Sequence, residues 1–205
     1  MDTRTLLLFS ATVLPLVCTP GPDILFVASQ AISGGGRSGL RATAGVVLGY
    51  CVHSAMVALG LAAVIAASPT LFDMIRWTGI AYLGYLAWKL FRAALKPGDL
   101  AVSASPARAQ FSRGFLTSLL NPKGMMMYVA ILPQFMDHRS GDVALQSIAL
   151  SATFMFWCAV VYSAISVGLG RIGAGGLTDR RRRTVDGLAG GMILMAAGLM
   201  ALVHG

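Results

Sequence analysis

Six apolar stretches, each long enough to cross a lipid bilayer, determine what this chain can fold into. A helix needs roughly 20 apolar residues to span the hydrocarbon core of a membrane. The stretches cover residues 6–32, 42–67, 71–94, 111–135, 144–169 and 185–203. Hydrophobic residues make up 56% of the chain and charged residues 12%, which is too little charge to cover the surface of a soluble protein. The sequence therefore predicts an all-α membrane protein, whose first stretch is a retained helix rather than a signal peptide.

The basic residues indicate how the helices are oriented. Cytoplasmic loops carry the excess of Lys and Arg, and 12 of the 16 such residues fall in the first, third and fifth loops. These are Arg37, Arg41, Lys89, Arg92, Lys96, Arg108, Arg113, Arg171 and Arg180 to Arg183. We therefore expect both termini outside. We interpret the basic run 180–183 as an anchor to lipid headgroups, so the net charge of +8 does not predict a nucleic-acid partner.

Matched motifs indicate that the chain contains two copies of a three-helix unit. Three motifs recur with offsets of 100, 109 and 108 residues. They pair Pro22-Asp23 with Pro122-Lys123, Ser54 with Ser163, and Gly79 with Gly187. Because each unit has an odd number of spans, the second copy inserts upside down. The prediction is six transmembrane helices as two inverted three-helix repeats, 1–95 and 111–205, joined by a cytoplasmic linker, 96–110.

The first apolar stretch contains an acid behind two prolines, in the sequence Thr19-Pro20-Gly21-Pro22-Asp23. Proline cannot donate a backbone hydrogen bond and clashes with the preceding turn, so we expect helix 1 to break here and restart at Pro22. Asp23 then lies at the positive end of the new half-helix. Two interpretations remain open. Asp23 caps the amides of a kinked helix, or it faces a cavity and binds a cation, an ammonium group or a proton.

The fourth stretch repeats this arrangement at Asn121-Pro122-Lys123. Asn is a good N-cap and Pro a good first helical residue, so helix 4 should also break. Lys123 is unfavourable at the positive end of a helix dipole. Its side chain either snorkels to the cytoplasmic surface or pairs with a buried negative group, which is Asp23 or a substrate carboxylate. Opposite charges at matched breaks complement a zwitterion such as an amino acid.

The remaining candidates for the cavity are polar residues in other spans. Tyr50 and His53 lie one helical turn apart in span two. His53 is either a proton acceptor or a packed neutral side chain bonded to a neighbouring helix. Gln30 is a further candidate, with Ser29 and Gln134. The three cysteines lie in separate spans, so neither a metal site nor a disulfide is predicted.

Four segments of the chain together resemble the LysE/RhtB-type amino-acid exporters. They are Thr19 to Asp23, Gly45-xxx-Gly49, Ala81-Tyr82-Leu83 with Trp88-Lys89, and Phe115 to Lys123. The resemblance implies a bacterial inner-membrane exporter of amino acids or close derivatives, driven by proton antiport and assembled as a homodimer. It implies no enzymatic activity and no cofactor. The family's motif positions carry over as Pro20, Gly21, Pro22, Asp23, Asn121, Pro122 and Lys123.

The preferred hypothesis is a proton-coupled exporter with alternating access. Asp23 binds the substrate ammonium or the coupling proton, Lys123 and half-helix amides receive the carboxylate, and His53 is the second candidate for proton coupling. The predicted substrate-binding set is Asp23, Lys123, Asn121, Gly21, Pro22, Pro122, Tyr50, His53 and Gln30. With no second acid evident inside the membrane, neutral amino acids are slightly favoured.

Two alternatives from other classes of transporter remain. A divalent-metal or other small-cation exporter needs clustered carboxylates or histidines inside the bundle, where only Asp23 and His53 stand out. A membrane thiol carrier needs a reactive cysteine in spans one and four. Cys18 meets the first requirement, and span four contains no cysteine.

Overall fold

The computed structural model describes residues 2–60, 68–95, 107–136, 143–173 and 179–202. Within these ranges all regular structure is helical, as the sequence predicts. The helices of the first half are α1 (Thr3–Cys18), α2 (Pro22–Gly34), α3 (Gly36–Ala58) and α4 (Pro69–Leu95). Those of the second half are α5 (Ala107–Leu119), α6 (Pro122–Met126), α7 (Val143–Gly173) and α8 (Asp179–Leu202).

Both predicted helix breaks are confirmed at the prolines that predict them. α1 and α2 meet at a bend of 56°, and α5 and the segment Pro122–Phe135 meet at 52°. Each half-helix after the break begins with a proline, whose missing N–H is not needed in a first helical turn. Each bent pair is long and apolar enough to form one broken membrane span.

Two further helices are each long and apolar enough to cross a membrane, Gly36–Ala58 and the segment Val143–Arg171. With the two bent pairs, the described residues therefore contain up to four spans by length and composition. α4 and α8 occupy the third and sixth predicted spans, and their crossing remains a prediction. The all-helical class with several apolar helices is confirmed, and the six-span count remains a prediction.

Several helix ends differ from their predicted positions. α3 ends at Ala58 and is followed by Gly60, whose φ of 72° lies in the left-handed region that glycine tolerates. The rest of the predicted second span, 61–67, lies outside the described residues. α5 begins at Ala107, within the predicted linker, and its Gln110 is buried where it donates to the Ser38 hydroxyl at 2.9 Å.

The segment after the second break winds irregularly. α6 continues as a π-helical turn, Met127–Ile131, and then as a 3₁₀ turn, Leu132–Phe135. Pro133 has no N–H to donate to the carbonyl of Val129, which accounts for the loss of regular α-helical bonding. A π-helical turn of this kind is frequent at functional sites.

Glycines allow α3 to lie unusually close to α5. A Cβ on Gly45 would overlap the carbonyl oxygen of Phe111, and one on Gly114 would overlap that of Ala42. A Cβ on Gly49 would lie only 2.7 Å from that of Ser118. The predicted packing role of Gly45-xxx-Gly49 is therefore confirmed, and this contact fixes the height of Tyr50 on α3 relative to the second break. α3 also packs along α7, and α4 along α8.

Candidate functional site

Asp23 lies in the first turn of α2 and is 2% exposed. Its carboxyl group does not cap the helix, because Oδ2 accepts from side chains of other helices and Oδ1 has no hydrogen-bond partner among the described residues. The carboxyl group instead points to α3 and to the second break. The interpretation of Asp23 as a mere cap for freed amides is therefore not supported by its contacts.

Two side chains donate to the same oxygen of this carboxyl group. The Tyr50 hydroxyl donates to Asp23 Oδ2, and Asn121 Nδ2 donates to Oδ2 at 2.8 Å. Asp23 Oδ1 is buried and has no hydrogen-bond partner among the described residues. A buried polar atom of this kind is uncommon, because its desolvation is uncompensated. The site thus leaves one carboxyl oxygen available at the junction of three helices.

Asn121 connects the two breaks because each end of its amide has a different partner. Its Oδ1 accepts a hydrogen bond from the backbone N–H of Lys123 at 3.0 Å, which confirms the predicted N-cap. Its Nδ2 donates a hydrogen bond to Asp23 Oδ2. One side chain therefore starts the second half-helix and positions the acid of the first.

Lys123 extends from the second break to the carbonyl end of α1. Its Nζ donates to Leu16 O at 3.0 Å and to Thr19 O at 2.9 Å. The partners expected from the sequence are the cytoplasmic surface, Asp23 and a substrate carboxylate, and these two carbonyls are not among them. The signal that identifies them is Pro20, which has no N–H to donate to the carbonyl four residues earlier, that of Leu16.

His53 is buried and lies one turn of α3 beyond Tyr50. Its Nε2 is 3.1 Å from the carbonyl oxygen of Ser118 on α5, and since a carbonyl only accepts, Nε2 carries the proton. Its Nδ1 is buried without a hydrogen-bond partner in the described part of the chain. The contact with α5 fits a packed neutral histidine, and Nδ1 leaves an unused acceptor for a proton.

Aromatic rings enclose this side of the site. The Tyr128 ring, on the π-helical turn, lies with its centroid 6.0 Å from that of His53 and 6.2 Å from that of Tyr50. The Phe154 ring of α7 meets Tyr50 edge-on at 4.9 Å. These rings keep water from the polar groups that they surround, so the hydrogen bonds to Asp23 lie in a medium of low dielectric constant.

The other predicted polar candidates lie apart from Asp23. Gln30 is buried in α2, two turns beyond Asp23, a rise of about 10 Å along the helix. Ser29 donates to the carbonyl of Phe26, and Gln134 Nε2 donates to that of Ala130 at 2.7 Å. Hydrogen bonds thus join Tyr50 and Asn121 to Asp23, whereas those of Ser29 and Gln134 stay within their own helices.

An apolar groove of about 420 Å³ runs beside the first break, between α2 and α7. Its lining consists of Pro20, Ile24, Leu25, Ala28, Ala164, Ile165, Gly168 and Leu169. Ile24 directly follows Asp23, so the groove adjoins the polar junction. The described residues contain no group of three His, Cys, Asp or Glu side chains arranged to hold a metal ion.

Comparison with known proteins places these features in a family. The family model "LysE type translocator" matches residues 14–204. The "Leucine efflux protein" of Klebsiella pneumoniae is 33% identical over 155 residues, 74% of this chain and 73% of that protein. The "Leucine efflux protein" of Salmonella typhimurium is 32% identical over 140 residues, 67% of this chain and 66% of that protein. No solved structure matches. The chain is a multi-pass membrane protein that belongs to the LysE type translocator family.

Proposed function

We propose that this protein is a secondary transporter, not an enzyme, that exports amino acids across the bacterial inner membrane. Membership of a translocator family supports transport, and the relatives named leucine efflux proteins support an amino-acid substrate. Those names do not favour the alternative of a divalent-metal or small-cation exporter. The single observation that carries the proposal is the buried carboxyl group of Asp23, held by one oxygen at the junction of two broken helices.

The proposed architecture is six spans in two inverted repeats, with both termini outside. The similar bends of the two broken pairs, 56° and 52°, support a repeated unit. Helices at equivalent positions also pack together, α3 with α7 and α4 with α8, as expected for helices beside a two-fold axis in the membrane plane. In this arrangement the junction at Asp23 lies between the repeats, and rocking of the repeats exposes it to each side in turn.

We assign the two charged ends of the substrate to the two breaks. Asp23 Oδ1 receives the ammonium group, while Oδ2 stays bound to Tyr50 and Asn121. The ammonium of Lys123 receives the carboxylate, whereas the Lys123 N–H is already used by the Asn121 cap. Gly21, Pro22 and Pro122 shape the two breaks, and Gln30 is assigned to the path beyond the binding site.

The substrate side chain is proposed to be neutral and apolar. The apolar groove beside Pro20 and Ile24 adjoins the junction and offers no charged side chain in its lining. A cationic substrate such as lysine would leave its side-chain charge unpaired there.

Export is proposed to be coupled to proton entry. Asp23 and His53 are buried titratable groups beside Tyr50, which donates to Asp23 and whose ring centroid lies 6.2 Å from that of His53. One carboxyl group that binds either the substrate ammonium or a proton, but not both, gives antiport directly.

The proposal is tested by reconstituting the purified protein into liposomes loaded with labelled leucine and measuring efflux with and without a pH gradient. We expect unlabelled neutral amino acids to compete and lysine not to compete. Asp23→Asn, which keeps the size of the side chain, should reduce efflux to background. The matched control is Asp73→Asn, because Asp73 is exposed at the start of α4. Wild-type efflux by a folded Asp23→Asn variant would refute the assignment.

A further inference from the structure

We propose that the carbonyl oxygens at the broken end of α1 form a site for a primary ammonium group, and that Lys123 fills this site from the other half of the chain. The Nζ atom lies 3.0 Å from Leu16 O and 2.9 Å from Thr19 O, both within the range of N–H···O hydrogen bonds. Lys123 is thereby a positioning residue that ties the second break to the first. This role is separate from the proposed contact with a substrate carboxylate.

The prolines of the first break create the need for such a donor. In a continuous helix, Leu16 O would accept from the N–H of residue 20, which is a proline. The Thr19 N–H is shared instead between Pro15 O at 3.0 Å and Leu16 O at 3.2 Å. Thr19 O lies beyond the last residue of α1 and precedes Pro20. Two carbonyls at the negative end of the helix dipole thus face a region with few backbone donors.

Gly21 provides the space for the lysine side chain. Its φ of −167° and ψ of 179° are extended and open to any residue, so backbone conformation does not require glycine here. A Cβ on Gly21 would, however, lie 3.2 Å from Lys123 Cδ and 3.4 Å from Nζ. The Lys123 backbone N–H is held by Asn121, which fixes the direction in which the side chain leaves α6. The site is therefore built from both breaks.

The covalently attached ammonium group of Lys123 takes the place of the inorganic cation that other broken-helix transporters bind from solution. In such transporters, unwound carbonyls and half-helix C-terminal ends coordinate inorganic cations. Here the chain supplies the positive charge together with N–H donors. Because Lys123 is exposed, a small ammonium ion can reach the carbonyls once the side chain is removed.

The direct test is chemical rescue of thermal stability. The Lys123→Ala protein is purified in detergent without any amino acid, and its thermal unfolding midpoint is measured in two salts. Propylammonium chloride supplies the side-chain atoms that lie beyond Cβ in lysine. Tetramethylammonium chloride supplies a positive charge but no N–H donor. We expect the unfolding midpoint of Lys123→Ala to lie several degrees below that of the wild type, and only propylammonium to raise it. The control is Lys89→Ala, on α4 with its Nζ 5.0 Å from the Tyr85 ring centroid, which should respond equally to both salts. Equal effects of the two salts on Lys123→Ala would overturn the proposal.

A double-mutant cycle provides a second test that does not depend on recovering Lys123→Ala. Lys123→Met keeps the length of the side chain. Pro20→Ala restores an N–H at position 20 and removes the restriction on Thr19, so α1 can extend by the residue that directs this N–H to the Leu16 carbonyl. We expect Lys123→Met to lower the midpoint less in the Pro20→Ala background than in the wild type, because the carbonyl can then gain a backbone donor beyond the shared Thr19 N–H. Equal losses in the two backgrounds contradict the assigned role. Both tests omit substrate and transport, so a failure of the proposed export leaves them unaffected.

Discussion

The amide of Asn121 has two separable functions, and substitutions distinguish them. As an N-cap it accepts from Lys123 N at 3.0 Å, and as a donor it holds Asp23 Oδ2 at 2.8 Å. Asn121→Ala removes both bonds. Asn121→Asp keeps an acceptor for the cap and replaces the donor with a second carboxyl group. The two variants should therefore differ in stability and in transport.

The magnitude follows from these two bonds. Loss of an N-cap costs about 1 kcal/mol. Loss of an interhelical hydrogen bond in a membrane protein costs about 0.6 to 1.7 kcal/mol. We therefore expect Asn121→Ala to cost about 1.5 to 3 kcal/mol, with a further penalty because Asp23 Oδ2 then keeps only the Tyr50 hydroxyl. Asn121→Asp retains the cap, and we expect it to lose transport because a second carboxyl group adjoins Asp23.

The matched control is Ser68→Ala. Ser68 Oγ accepts from Leu71 N at 3.4 Å near the start of α4, so this residue has the capping role without a second partner at the site. Unfolding is followed in detergent by circular dichroism in a denaturant series, and efflux is measured in liposomes. An Asn121→Ala variant no less stable than Ser68→Ala would refute the two-bond account. So would wild-type efflux by Asn121→Asp.

Three further predictions concern close packing, the hydroxyl at the site and the groove. Gly114→Ala should strongly reduce the yield of monodisperse protein in gel filtration, because the added Cβ would overlap the backbone of α3. The control Gly191→Ala, whose added Cβ meets only open space, should not reduce it. Equal yields of the two variants would contradict the packing. Tyr50→Phe removes the hydroxyl that donates to Asp23 and should lower efflux severalfold while the melting midpoint falls by only a few degrees; unchanged efflux would exclude a role for the hydroxyl. Gly168→Leu fills the apolar groove and should shift competition toward smaller amino acids, with Gly191→Leu as the control; an unchanged order of competitors would remove the groove from the substrate path.

The local breaks of the helices were predictable from sequence because proline acts on its own neighbours. Pro22 and Pro122 each begin a half-helix, as the sequence indicates. The N-cap function of Asn121 was equally predictable, since it depends on a residue only two positions away. These features need no knowledge of tertiary structure.

Contacts between residues far apart in the sequence were harder to predict. The contact of Asn121 with Asp23 joins residues 98 positions apart, and that of Lys123 with Leu16 joins residues 107 positions apart. The repeat brings the two breaks to matched positions, but it does not specify which atoms meet. The irregular winding after Met126 also went unpredicted, although Pro133 lies within it. These contacts depend on how the helices of the two halves pack together, which local propensity does not specify.

The dependence of the first break on the second has a consequence for biosynthesis. The groups that complete the Asp23 and Leu16 contacts are translated 98 to 107 residues later, in the other half of the chain. While the first half leaves the ribosome, these polar groups have no partner from the second break, and burial in lipid at that stage is unfavourable. The first broken helix therefore reaches its final structure only after the second half has inserted, so the order of synthesis makes assembly of this bundle a late, concerted step.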